Sequence, residues 1–118
     1  MQVSSISSTN FGLRIDSDMQ ELLDKSRGAA KMKGQEEYDS FVKAEEKMKT
    51  LADDNWELYL GTYGCCNQEV KLHTPHHGIW EILTLQGTNK VLTADNIKKD
   101  IMNTIRCAKT SERERYHS

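Results

Sequence analysis

One stretch limits what this chain can fold into. Trp56 to Leu85, WELYLGTYGCCNQEVKLHTPHHGIWEILTL, reads as three short antiparallel strands joined by two polar turns. Trp56, Leu58 and Leu60 alternate with Glu57, Tyr59 and Gly61, the period of a half-buried strand. Val70 and Leu72 share a face opposite Glu69, Lys71 and His73, and Pro75 cannot donate to a ladder, so it closes that second strand. Ile79 to Leu85 is apolar on both faces except at Glu81. That predicts a central strand, or one covered by helices on one side and by a partner on the other.

Helical periods flank this meander. Met19, Leu22, Leu23, Ser26, Ala29 and Ala30 predict a helix over 17–33, opened by a Ser17–Gln20 capping box and stopped at Gly34. Tyr38, Phe41, Val42, Met48, Leu51 and Ala52 trace a second helix over 35–52, their stripe interrupted only by Glu45. Thr93 is a good N-cap for a third, with Ile97, Ile101, Met102, Ile105 and Ala108 on one stripe. Phe11, Leu13 and Ile15 alternate over five residues, as an extra short strand or as an apolar anchor.

The expected fold class is therefore α+β. Two N-terminal helices precede a three-stranded antiparallel meander, and a C-terminal helix packs on one sheet face, with the extra strand at 11–15 as an option. A flexible arm over 1–10, a single domain over 11–110 and a polar tail over 111–118 divide the 118 residues. The core should include Met19, Leu22, Leu23, Phe41, Val42, Met48, Leu58, Leu60, Val70, Leu72, Ile82, Ile97, Ile101 and Ile105.

Composition narrows the function classes. A net charge of −2 is too small to drive binding to nucleic acid or to an anionic membrane. No run approaches the roughly 20 apolar residues of a membrane span, and MQVSSISSTNFG lacks the cationic start and apolar run of a signal peptide. Three cysteines, two of them adjacent, make a poor disulfide framework, so a reducing cytoplasm is expected.

Three constellations could carry chemistry. Cys65, Cys66, His73, His76 and His77 are zinc-ligand types, but the strand between the two turns separates cysteines from histidines, leaving His73, His76 and His77 able to share one ion and the two cysteines able to share another across a dimer. The same separation argues against a Cys–His nucleophilic pair. Lys98, Lys99, Arg106 and Lys109 give the third helix a basic side that could meet phosphates, although Asp100, Glu112 and Glu114 dilute it. Trp56, Tyr59, Tyr63 and Trp80 supply more aromatic surface than one helical layer needs, and such side chains favour interfaces. The expected function is a non-enzymatic protein-interaction module, an adaptor or a homodimer, without a cofactor. A metal- or thiol-dependent enzyme of the meander is the alternative, and a nucleic-acid binder using the last helix is the second.

Overall fold

The computed structural model describes residues 13–53, 55–64 and 66–117. The expectations on the arm of residues 1–10, on Phe11 and on Cys65 lie outside them. The chain forms β1 (Arg14–Ile15), α1 (Ser17–Lys33), α2 (Gln35–Leu51), β2 (Glu57–Tyr63), β3 (Asn67–Thr74), β4 (Gly78–Leu85) and α3 (Ala94–Asn96). A π-helical segment (Ile97–Ile101) then leads into α4 (Met102–His117). This is the α+β arrangement, with one strand added to the meander. β1 pairs parallel with β2, and the sheet runs in the order β1-β2-β3-β4.

Local chemistry accounts for the helix ends. Asp16, not Ser17, caps α1: its Oδ1 accepts the Met19 N–H at 2.9 Å. A carboxylate suits the positive end of the helix dipole better than a hydroxyl, and Gln20 instead donates to Asp24. Gly34 ends α1 and opens α2 at φ 144°, ψ 168°. That backbone region is nearly closed to side-chain-bearing residues, so a single glycine makes the whole link of the helical hairpin.

The helices and the inner sheet face share one core. Met19, Leu23, Phe41, Met48, Leu58, Val70, Leu72, Ile97, Ile101 and Ile105 are fully enclosed, each contributing roughly 1.5–3 kcal/mol through burial. Val42 is only half-buried, because the inward stripe of α2 runs through Phe41, Ala44, Glu45 and Met48. Glu45 sits in that stripe because Arg27 of α1 meets it with two hydrogen bonds, Nε to Oε1 at 3.1 Å and Nη2 to Oε2 at 2.8 Å. Those bonds, opposed by partial desolvation, raise the Arg27 pKa further above its already high range.

The last strand departs from expectation in an instructive way. Leu58 pairs with Leu72 and Leu60 with Val70, which keeps all four on the inner face. Across β3 and β4, Lys71 pairs with Glu81 but Val70 pairs with Leu83, so Ile82 is one residue too many. This β-bulge resets the alternation and turns Trp80, Leu83 and Leu85 all inward. Its two-sided apolar look therefore comes from the bulge. β4 is an edge strand and not the central one. Ile82, expected in the core, is half-buried at the bulge, as is Leu60 at the sheet's flank.

Ser26, buried in α1, accepts the Leu92 N–H at 2.7 Å and so ties the connection after β4 to the first helix. Thr93 then caps α3 by accepting the Asn96 N–H at 3.1 Å. The helical path continues past Thr110 to His117, so the polar tail extends the helix. Glu112 explains why: it lies on the continuation of the Ile101–Ile105–Ala108 stripe and is itself only 7% exposed.

Candidate functional site

Two regions gather the chemistry-bearing side chains. The first is a cleft of about 250 Å³ at one end of the sheet, lined by Asp53, Asn55, Trp56, Pro75, His76, Lys109, Glu112 and Arg113. The turn between β3 and β4 forms one wall and the last turns of α4 the other. Thr74 and Gly78 pair across that turn, leaving Pro75, His76 and His77 at its tip. Gly78 takes φ 75°, a left-handed position that lets the chain re-enter β4. Thr74, fully buried, accepts the Trp80 indole N–H at 3.2 Å, which stiffens the base of the turn.

The buried carboxylate of Glu112 draws the turn onto the helix. His77 Nδ1 lies 2.8 Å from its Oε2, and His76 Nε2 lies 3.8 Å from its Oε1. With a proton on Nδ1, His77 donates to Glu112, an arrangement that orients an imidazole for proton transfer. Among the described residues, replacing His77 by alanine would leave Glu112 with the longer His76 contact alone. We expect a loss of about 2 kcal/mol in urea unfolding, the cost of a buried acceptor without its donor; a loss under about 0.5 kcal/mol would show the clasp to be ornamental.

His73 does not join this group. It lies on the outer sheet face, in register with Glu57 and Ile79, because odd positions of β3 point away from the helices. His73, His76 and His77 are therefore not one ligand set, and no group of three His, Cys, Asp or Glu side chains among the described residues could hold a metal ion. Cys66 belongs to the turn at the other end of β3 from His76 and His77, and Cys107 is exposed on α4. Lys98, Lys99 and Arg106 are exposed, whereas Lys109 is half-buried and reaches Asp53 at 3.3 Å. One of the four expected phosphate contacts is thus already paired, and Asp100 stands exposed next to Lys99.

The second region is the outer face of the sheet, which no described element covers. The four aromatic residues expected to share a binding face divide here. Trp56 is 1% exposed and packs in the core. Trp80 points inward beside Leu72 and is half-buried. Only Tyr59 of the three described side chains stands on the outer face, since it pairs with Lys71; the Tyr63 side chain lies outside the described residues. Around Tyr59 lie Asp16, Glu57 and His73, which together line a shallow depression of about 300 Å³. Ile79, 56% exposed, is next along the register row from His73. A third concavity, of about 430 Å³, lies at the other end between α1 and the sheet, floored by Leu22 and Leu60.

Motif reading missed Glu112 as a paired group and missed Arg27 as the main partner of Glu45, for which helical spacing offered only a lysine of α2 such as Lys49. The signal was present: each carboxylate occupies a position on an apolar helical stripe, where burial demands a partner. Comparison of the chain with protein-family models, with curated proteins and with solved structures found no match.

Proposed function

We propose that this protein is a small non-enzymatic protein-interaction module, an adaptor or a homodimer, that binds through the outer face of its sheet. The observation that carries the reading is one-sided layering. The buried residues of the helices join Leu58, Val70 and Leu72 in one core cluster, while on the other side His73, Ile79 and Glu81 are exposed and Tyr59 half-buried, with no described helix over them. A sheet face without a layer is a surface for a partner when it carries apolar and aromatic groups among polar ones. The bulge in β4 and the charge at Glu81 discourage edge-to-edge strand addition, which leaves the face itself as the contact area.

The test pairs wild type with a Tyr59→Ala/Ile79→Lys variant, after unfolding curves show that both fold equally well. Light scattering reads self-association, and quantitative affinity capture reads other partners. The variant is expected to lose the dimer or the captured proteins. Unchanged mass together with an unchanged set of captured proteins would sink the proposal. No helix among the described residues is long and apolar enough to cross a membrane.

A further inference from the structure

The charge on the open face narrows the partner. Among the described residues, four carboxylates, Asp16, Glu57, Glu69 and Glu81, stand on that face or at its rim, against two permanent cations, Arg14 and Lys71. Lys71 lies 3.6 Å from Glu69 and is thereby half committed. Arg14 sits beside Glu57 in the β1–β2 register. Its guanidinium nevertheless turns to the Asn55 carbonyl, with Nη2 to oxygen at 3.4 Å. Glu57 and Glu81 have no ion-pair partner among the described residues. Asp16 uses Oδ1 to cap α1. Tyr59 lies between these acids, half-buried, with a ring able to receive a cation.

Resting on the reading of this face as the contact surface, we infer that its partner is a basic, extended peptide segment. A lysine or arginine of that segment fills the depression between Asp16, Glu57 and Tyr59, and an apolar side chain covers Ile79. The geometry sets a spacing. Glu57, His73 and Ile79 lie in one row across three adjacent strands, so the two subsites are about 10 Å apart. An extended segment crossing the strands spans that distance in about three residues. The recognition unit is thus a cation followed, three positions on, by an aliphatic or aromatic residue. Electrostatic complementarity of this kind sets which partner binds more than how tightly.

The experiment is selection of random twelve-residue peptides, displayed on phage, against the immobilised full chain, followed by anisotropy titration of synthetic copies. Enriched peptides are expected to carry Lys or Arg with an apolar residue about three positions away. Their affinity should fall about tenfold in Glu57→Lys, and fall again when salt rises from about 0.05 to about 0.5 M. Glu57 is a half-buried surface residue, and a matching unfolding curve for the variant separates lost binding from lost fold. Enriched peptides that are not basic, or that bind Glu57→Lys as well as wild type, overturn the inference while leaving the open face a binding surface. An absence of enrichment, with the Tyr59→Ala/Ile79→Lys pair also without effect, overturns both.

Discussion

Replacement of Trp56 by alanine is expected to lower stability by about 4 kcal/mol, the range for emptying a buried large aromatic position. The indole is 1% exposed and belongs to the same cluster as Leu58, Leu72 and Ile105. Its backbone also matters to the sheet's start: Trp56 N–H donates to Asp53 at 3.2 Å, and its carbonyl accepts from Arg14 N–H at 3.0 Å. A domain of this size has roughly 5–15 kcal/mol in all, so Trp56→Ala should leave the chain near its unfolding midpoint in mild urea. The midpoint should move with little change in slope, as for a loss of native packing. Tyr59→Ala, on the open face, should cost under about 1 kcal/mol. This contrast separates two aromatics three residues apart in the sequence. If Trp56→Ala instead retained its stability and lost only partner binding, the tryptophan would belong to the interface and the inner face would be assigned wrongly.

The division of the aromatic residues also marks how far sequence reading reaches. Alternation placed Trp56, Leu58 and Leu60 together; the register of β2 with β3 bears that out for Leu58 and Leu60, and Trp56, just ahead of β2, is buried in the same core. The inference that Trp56 is free to bind failed because alternation says which residues share a face and not which face is covered. In β4 the alternation itself misled. One extra residue at Ile82 adds a half-period, so a strand facing inward at Trp80, Leu83 and Leu85 looks apolar on both sides. No propensity marks a bulge of this kind, since its cause is a register shift against the neighbouring strand. The helices were legible because Gly34, Thr93 and the apolar stripes act locally.

The stripes held more than was read from them. Continuing the last helix by its own period from Ile105 through Ala108 reaches Glu112. A charged group there implies a buried partner, and its partner, His77, is 35 residues away in the chain. Which of the molecule's bases would arrive could not be read from spacing, because it depends on how the β3–β4 turn meets α4. The candidate cleft is thus half legible: its carboxylate was inferable, its imidazole was not. The same reasoning applies to Glu45 between Phe41 and Met48, where Lys49 of its own helix lies 3.5 Å away but the shorter, two-bond partner, Arg27, comes from α1.

That second carboxylate yields the other large expected effect. Arg27→Met should destabilise by about 3 kcal/mol, toward the lower end for breaking a buried pair. The Glu45 side chain is 5% exposed, so losing its fork-on-fork partner leaves a charge in the core. Lys49, 3.5 Å from Oε2, relieves part of that penalty, and Arg27 is itself 29% exposed at the side chain, which moderates the loss. Glu45→Leu alone should cost less, because a guanidinium near the surface can turn to water and keeps Asp24 at 3.1 Å. The double variant Arg27→Met/Glu45→Leu should lie within about 1 kcal/mol of wild type, since two apolar side chains of similar volume replace the pair. The double-mutant cycle then shows a coupling of about 2 kcal/mol or more. Additive losses would mean that the two residues act on stability separately, and that the α1–α2 hairpin is held by its apolar contacts and the Gly34 link alone.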